Sequence, residues 1–341
     1  MRSRGDAWSW DSTFDTLESV LARSVTDSPS GTVGARRSGW HDVGVATFPP
    51  PLDSRVESVR HAIADALRNA VAGDDAEARR AAIIDAPGER WFAPDSTVVR
   101  VHSDSAMFIG GLRALLIQSL HPLAMAGVAQ HSDYRNDPWG RLQRTAEFIA
   151  ATTFGPDHVA QHAVDRVNAV HRTVTGTAAD GRAYSASDPH LLRWVHVTEI
   201  DSFLRAHQEY GERPLTPAEC DDYVRGMAVV ARKLGVNAPP ESHRGLRDQI
   251  AMFRGEVHAT PESHEVVRWL LVQPPVPAAA RIPYALVSAA AVALLPAWAR
   301  AELRLPWVPA VDTLIARPTG RLVARTIRWA AAVDPSEPGA N

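Results

Sequence analysis

Residues 115–155, LLIQSLHPLAMAGVAQHSDYRNDPWGRLQRTAEFIAATTFG, decide the fold of this chain. Asp137-Pro138 has the form of a helix N-cap followed by a first-turn proline, and it predicts a helix that runs to about Gly155, where Pro156 prevents simple continuation. The stretch places titratable side chains in an otherwise apolar helical setting. Such side chains are costly to bury without polar partners, so the same stretch also indicates a binding site.

The rest of the chain divides into a short flexible part and a long helical part. Residues 1–50 are rich in Ser, Gly, Pro and charge and show no sustained period, so we expect a flexible segment. From 51 to 335 the pattern is helical, as in the amphipathic segment 54–73. No βαβ alternation, GxGxxG motif, P-loop or repeat is present. We therefore predict an all-α protein with a single mostly helical domain over 51–335.

Local signals mark further boundaries within that domain. Asp188-Pro189 predicts a helix start, and Thr216 with Glu219 has the spacing of a capping box. Gly176 is expected to end the helix that follows Pro156. A short hairpin is expected around Asp180-Gly181.

Composition excludes several classes of protein. The chain has 341 residues, of which 45% are hydrophobic, so it can bury a large core. The net charge of -3 lacks the basic excess typical of nucleic-acid binding. A single cysteine, Cys220, excludes an intrachain disulfide and fits a reducing compartment. The charged N-terminus lacks the apolar core of a signal peptide, so we expect a cytoplasmic protein.

The segment 284–299, YALVSAAAVALLPAWA, is apolar and uncharged. It is shorter than the roughly 20 residues that span a bilayer, and Pro296 interrupts it, which favours a buried helix. The alternative is an interfacial role, because Trp298, Trp307 and Trp329 and several arginines lie nearby. Peripheral membrane contact is therefore kept as a second interpretation.

His171 is the first candidate ligand. On the helix 157–175 it shares one face with apolar residues spaced at i, i+3, i+4 and i+7, namely Ala160, Ala163, Val164, Val167, Val170 and Val174. His158 and His162 fall on the opposite side and are expected to be solvated. A core histidine that bonds a backbone carbonyl is the alternative to a ligand.

Arg141, Arg144 and Thr145 form an unusual polar stripe on the preceding helix, beside Phe148. An arginine fork suits a carboxylate, and a threonine hydroxyl can bond a small molecule, so this face indicates an anionic ligand. The alternative is a structural ion pair with Asp133, Asp137 or Glu147.

His196 and Glu199 form an inward pair at i, i+3, on a stripe with Leu192, Val195 and Phe203. His196 is a second ligand candidate, and Glu199 could orient another group. The Glu-x-x-His tetrad of di-iron bundles is absent, as are His-Glu-x-x-His and Gly-x-Ser-x-Gly.

Taken together, LLIQSLHPLAMAGVAQHS, DPWGRLQRTAEFIAATTFG, VNAVHRTV and DPHLLRWVHVTEIDSF resemble the family of mpaB-type oxygenases and rubber oxygenases (latex clearing protein). The resemblance covers about 110–235 and implies a globin-like helical core around haem b. It also implies dioxygen and an apolar, isoprenoid or lipid-like substrate. Carried over by position, His171 matches the iron ligand, and Arg141 and Thr145 match residues that line the haem pocket.

Three positions depart from the family pattern. Arg144 stands where the rubber oxygenases have a lysine that closes over the iron, and a guanidinium cannot lose its proton to do so. The segment LAMAGVAQ (123–130) lacks the family's catalytic glutamate. Asn168 stands where relatives often have arginine.

Three hypotheses follow for the function. The first is a haem b-dependent oxygenase with iron on His171 and a pocket that includes Arg141, Arg144 and Thr145, together with His121 or His196. The second is a non-catalytic haem- or lipid-binding helical protein, favoured by the missing glutamate. The third is a scaffold in which these polar residues pair with each other.

Overall fold

The computed structural model describes residue 78 and residues 81–331, apart from 134, 275 and 277. These residues are mostly helical, which confirms the all-α prediction. The expected flexible segment 1–50 and the helix over 54–73 lie outside the described residues. The α-helices are α1 (Thr97–His102), α2 (Ala106–Gln118), α3 (Pro122–His131), α4 (Pro138–Phe154), α5 (Asp157–Thr173), α6 (Pro189–Tyr210), α7 (Pro217–Lys233), α8 (His243–Met252), α9 (Pro261–Leu271), α10 (Arg281–Ala293), α11 (Ala297–Glu302) and α12 (Arg317–Ala331). Shorter helical turns are Ala81–Asp85, Phe253–Gly255, Ala278–Ala280, Pro309–Val311 and Asp312–Ala316.

Helix starts follow the local signals of the sequence. The Asp137 carboxylate accepts the backbone N–H of Gly140 at 2.9 Å, with Pro138 in the first turn of α4. Asp188 caps α6 in the same way. Thr216 and Glu219 form the predicted capping box of α7. These three predictions are confirmed, because each depends on residues within one turn of each other.

A β-hairpin joins α5 to α6. Strands β1 (Thr175–Thr177) and β2 (Ala183–Ser185) pair antiparallel, with Gly181 at a φ of +86° in the turn. The predicted hairpin is confirmed. The prediction that Gly176 ends α5 is wrong, because α5 ends at Thr173 and Gly176 pairs with Tyr184 in the ladder.

The centre of the core is the contact between α2 and α6. Gly110 makes it close, since a Cβ there would lie 2.9 Å from the ring of Phe203. Arg113 crosses this interface with 1% of its surface exposed. It donates to Asp201 at 2.8 Å, to the Ser202 hydroxyl at 2.6 Å and to the Leu294 carbonyl at 3.0 Å. One guanidinium thus joins α2, α6 and the end of α10.

Helices α4 and α5 form an antiparallel hairpin with only Gly155 and Pro156 between them. Arg166 donates to Glu147 at 3.0 Å, and Ala151 packs in one cluster with Ala163, which sets the register. The connected end is held by Arg90, whose guanidinium donates to the carbonyls of Phe154 (2.8 Å) and Ile84 (2.6 Å). The hairpin is therefore fixed at its connection.

Helix α10, in the C-terminal part of the chain, packs against one side of α2. The segment 284–299 is not wholly buried as favoured above: Ala290 and Ala291 are buried, whereas Ile282, just before the segment, and Leu286 are exposed. Among the described residues, no single helix is long and apolar enough to span a membrane. The pair α2 and α3 reaches that length and composition together, but with a bend of 105°.

Candidate functional site

His171 lies in the last turn of α5 and faces a pocket of about 250 Å³. Its Nδ1 is buried and has no hydrogen-bond partner among the described residues. Burial lowers the pKa of this imidazole, so it is neutral near pH 7. A neutral ring nitrogen without a partner is the form that binds a metal. The expected solvated positions of His158 and His162 are confirmed, because both are exposed.

The pocket beside His171 combines apolar and cationic walls. It is lined by Asn168, His171, Arg172, Ser187, Leu192, Arg232, Lys233, Leu234 and Gly235. Asn168 is held by its bond to the Lys233 carbonyl at 3.0 Å. Arg172 suits a carboxylate group on a ligand whose body lies against the two leucines. Arg232 is paired with Glu241, and the Lys233 ammonium bonds Gln161 at 2.8 Å.

The polar stripe of α4 is largely engaged within the protein. Arg141 donates to the Ser132 hydroxyl, and the Thr145 hydroxyl donates to the Arg141 carbonyl at 3.0 Å. Arg144 pairs with Asp137 at 3.1 Å, which is one of the ion pairs weighed above. Thr145 is exposed, so its side chain does not face the core as the stripe suggested.

Arg141 and His171 nevertheless lie at the same end of the α4–α5 hairpin. The Glu147–Arg166 pair fixes the antiparallel register, and continuing along both helices brings Arg141 level with Arg172. This end is opposite to the Gly155–Pro156 connection. Arg141, Thr145 and His171 therefore share one end of two adjacent helices, although Arg141 and Thr145 do not line the His171 pocket.

Helix α6 carries further titratable groups, of which His196 is buried and Glu199 is half-buried. His196 is 8% exposed, its Nε2 has no partner among the described residues, and burial lowers its pKa to about 4. Burial raises the pKa of Glu199 to about 7. Glu199 interacts electrostatically with buried Tyr223, whose hydroxyl lies 3.2 Å from Nε2 of His102. The expected inward position of Val195 is wrong, since 37% of its side chain is exposed.

His121 lies in a different group from His171. It precedes Pro122 at the start of α3 and is 2% exposed, with both ring nitrogens buried and without hydrogen-bond partners among the described residues. Burial is the main cause that lowers its pKa to about 4. Its neighbours are His190, Trp194 and Phe253, at ring-centroid distances of 6.0–6.3 Å.

Comparison with known families agrees with the motifs. Residues 99–329, more than half of the chain, match the family described as ER-bound oxygenase mpaB/B'/Rubber oxygenase, catalytic domain. The chain belongs to this family. Neither a curated protein nor a solved structure matches the chain. Membership in the mpaB/rubber oxygenase family establishes an oxygenase-type catalytic domain that covers α2 to α11 and most of α1 and α12.

The mpaB/rubber oxygenase domain also contains two residues that the sequence reasoning did not select as site residues. His190 and Glu256 lie close to His121, and ligand atoms of the three side chains are within 4.8 Å of one another. His190 follows Asp188 and Pro189 at the start of α6. The sequence there is explained by helix capping alone and did not indicate a ligand. Glu256 follows the turn Phe253–Gly255 and belongs to no periodic stripe, so only long-range folding identifies it.

Proposed function

We propose that this chain is a haem b-dependent oxygenase that uses dioxygen to oxidise an apolar, isoprenoid or lipid-like substrate. The observation that carries the proposal is the buried, unpartnered Nδ1 of His171, a residue that lines a pocket in a domain of an oxygenase family. The imidazole is neutral and its ring lies beside apolar and cationic groups. These properties suit a residue that would hold haem iron, with a cation nearby for a propionate.

The residues near His171 fit haem in chemistry, and the pocket must widen to hold it. Its volume of about 250 Å³ is below the roughly 300–1,000 Å³ usual for ligand pockets. Widening would require α5 to move apart from the end of α7, where the Asn168 bond to the Lys233 carbonyl joins them. When bound, haem supplies the redox chemistry that activates dioxygen.

In this proposal, the protein residues position the cofactor and substrate. His171 would hold the iron, and Arg172 would neutralise one propionate. Arg232 would pair with the other in exchange for Glu241. Arg141, Arg144 and Thr145 lie in the first half of the adjacent helix α4 and would border the cofactor in a widened pocket; His196 faces the interior from α6. Phe108 and Leu115 on one face of α2 leave more than a third of their surface exposed, which offers an apolar contact for substrate.

Glu199 is the residue we assign to proton transfer. The segment 123–130 has no carboxylate, whereas Glu199 has a pKa of about 7 and is thus able to hold or release a proton near neutral pH. It lies on α6 two turns after Leu192, which lines the His171 pocket. A carboxyl group from α6 then replaces the one that the family takes from the earlier segment.

The proposal is tested by reconstituting the purified chain with haem and measuring two signals. A stoichiometric Soret band supports the haem site, and dioxygen consumption that depends on an apolar alkene supports turnover. A Soret band without consumption favours the second candidate, a non-catalytic haem-binding protein, for which the missing carboxylate in 123–130 is the specific observation. Absence of the Soret band contradicts both.

We also propose that the protein is cytoplasmic and contacts membranes reversibly through its C-terminal surface. We define this surface by five exposed apolar residues on α10 and around the turn Asp312–Ala316: Ile282, Leu286, Trp307, Leu314 and Ile315. The adjacent helix α12 adds exposed Leu322 and Arg325. Exposed apolar and aromatic groups beside arginines are typical of interfacial binding. Such contact would place the oxygenase near lipid-like substrates.

A further inference from the structure

Three segments that are distant in sequence bring His121, His190 and Glu256 together. His121 precedes α3, His190 is in the first turn of α6, and Glu256 follows the turn Phe253–Gly255. Nε2 of His190 lies 2.7 Å from Oε2 of Glu256, and Nε2 of His121 lies 3.9 Å from the same oxygen. Two ligand atoms that are each about 2.1 Å from a tetrahedral metal are about 3.4 Å apart. The His190–Glu256 distance is shorter than that value, and the His121–Glu256 distance is longer.

The His121 imidazole supplies the second, independent observation. It is 2% exposed, and neither of its ring nitrogens has a hydrogen-bond partner among the described residues. An unpaired buried polar group costs about 1–3 kcal/mol, so such a group in a native core calls for a partner. Its Nε2 lies 3.9 Å from Oε2 of Glu256, beyond hydrogen-bonding distance. A metal ion bound between them would give the imidazole its missing partner.

The surroundings hold the His121 ring in place and exclude water from its side of the site. Trp194 and Phe253 are buried beside the His121 ring, and the Phe253 ring lies 4.7 Å from that of His190. A pocket of about 70 Å³ adjoins the group and is lined in part by His190, Phe253 and Glu256. The aromatic rings restrict water on the His121 side, and the pocket, which Arg193 and Gln249 also line, leaves the other side open to a small ligand.

The local charges permit a cation at this position. The Glu256 carboxylate lies 3.9 Å from Nε2 of His121, and Arg193, which lines the adjoining pocket, is engaged by the Asn237 carbonyl at 3.0 Å. His190 and Glu256 are each nearly half exposed, so both can rotate toward a metal while His121 stays fixed. The group is thus one rigid ligand with two adjustable ones.

We propose that His121, His190 and Glu256 bind one divalent transition-metal ion, Zn²⁺ or Fe²⁺, with a coordination position open to the adjoining pocket. Two imidazoles and one carboxylate suit both ions, whereas Mg²⁺ and Ca²⁺ prefer oxygen ligands. The site is separate from the proposed haem site, since none of the three residues lines the His171 pocket. A metal here also joins the starts of α3 and α6 to the chain after α8.

The test is metal titration of the purified full chain after treatment with a chelator. Calorimetry with Zn²⁺, and with Fe²⁺ under anaerobic conditions, identifies the ion that binds more tightly. Co²⁺ serves as a coloured probe, because its absorption reports the coordination geometry. We expect one site per chain. Loss of a ligand in His190→Ala or Glu256→Gln should weaken binding by at least the roughly tenfold that loss of an outer-sphere partner causes.

The variants keep the outcomes distinct. His190→Ala changes a half-exposed side chain, so it retains the fold even if His121→Ala does not. His162→Ala, at an exposed histidine of α5, is the matched control and should bind metal like the unchanged protein. Absence of one-to-one binding, or equal binding by His190→Ala and the unchanged protein, overturns the proposal. His171→Ala should keep this metal site, so a failure of the haem proposal is recognised separately.

Discussion

The guanidinium of Arg113 donates to the carboxylate of Asp201 over 2.8 Å, and both side chains are almost completely buried. Removing one member of a buried ion pair leaves the other charge uncompensated, which costs about 3–5 kcal/mol. Arg205 remains bonded to Asp201 at 2.8 Å, so we expect Arg113→Leu to lower the free energy of unfolding by about 3 kcal/mol, near the low end of that range. Urea unfolding measures this change in the free energy of unfolding. The control Arg205→Ala removes a half-exposed partner of Asp201 and should cost less than about 1 kcal/mol. If both variants lost the same free energy of unfolding, Arg113 would not be the main partner of Asp201.

His171→Ala should abolish stoichiometric haem binding while the helical circular dichroism spectrum stays unchanged. The variant removes the neutral imidazole that faces the pocket and leaves α5 otherwise intact. His162→Ala, on the exposed side of the same helix, should keep the Soret band. A normal Soret band in His171→Ala would move the ligand assignment to His196.

Arg141→Ala should weaken haem retention or shift the Soret maximum, because Arg141 lies at the end of the α4–α5 hairpin that carries His171. Arg135→Ala is the comparison, since Arg135 lies before α4 and pairs with Glu265 at 2.8 Å. The measurement is the rate of haem transfer to an acceptor protein. The same rate in both variants would make Arg141 a structural residue that fixes Ser132.

Glu199→Gln should increase stability at alkaline pH and reduce turnover. Burial raises the pKa of Glu199 from 4.5 to about 7, so the folded protein holds a proton that the unfolded chain releases. The free energy of unfolding therefore falls as pH rises from 4.5 to about 7, by up to about 3 kcal/mol, and is constant above that. The neutral amide avoids this loss at pH 8, and most of the difference disappears at pH 5.

Urea unfolding at both pH values measures the Glu199 effect, with Glu147→Gln as a control in which the carboxylate pairs with Arg166. No pH-dependent gain in Glu199→Gln would mean that the carboxylate is solvated. Unchanged dioxygen consumption at full haem content would exclude Glu199 from proton transfer.

Leu314→Asp should reduce binding to vesicles that contain anionic lipid. Leu314 is 74% exposed on the C-terminal surface, so the change removes apolar contact and adds repulsion with little effect on the fold. Co-sedimentation measures binding, and Val272→Asp, at 72% exposed on a different helix end, is the control. Release by high salt is expected; protein that stays in the membrane pellet after alkaline washing contradicts a peripheral contact.

The sequence predicted those parts of the fold that depend on neighbouring residues. The start of α4 at Pro138, the capping box at Thr216 and the hairpin at Gly181 all follow from short-range signals. The periodicity of α6 was less informative: it placed Val195 inward, although α6 is packed on more than one side and Val195 lies on its exposed part.

Long-range contacts were beyond the sequence reasoning. Arg113 and Asp201 are 88 residues apart, and nothing in either local pattern indicates the other. His121 was selected as an unusual buried polar residue, yet its companions His190 and Glu256 come from segments that only tertiary packing brings together. The role of His171 remains a prediction, supported by its unpartnered nitrogen.

The two-residue connection between α4 and α5 has a mechanical consequence. Because Arg90 bonds the connected end, a small change in the angle between α4 and α5 at Gly155–Pro156 would be multiplied along the length of α5. From Asp157 to His171, α5 is about 21 Å long, so a tilt of about 5° moves its far end by about 2 Å. A mutation at the connection, for example at Arg90, would thus displace the far end of α5, which carries His171, more than the connection itself.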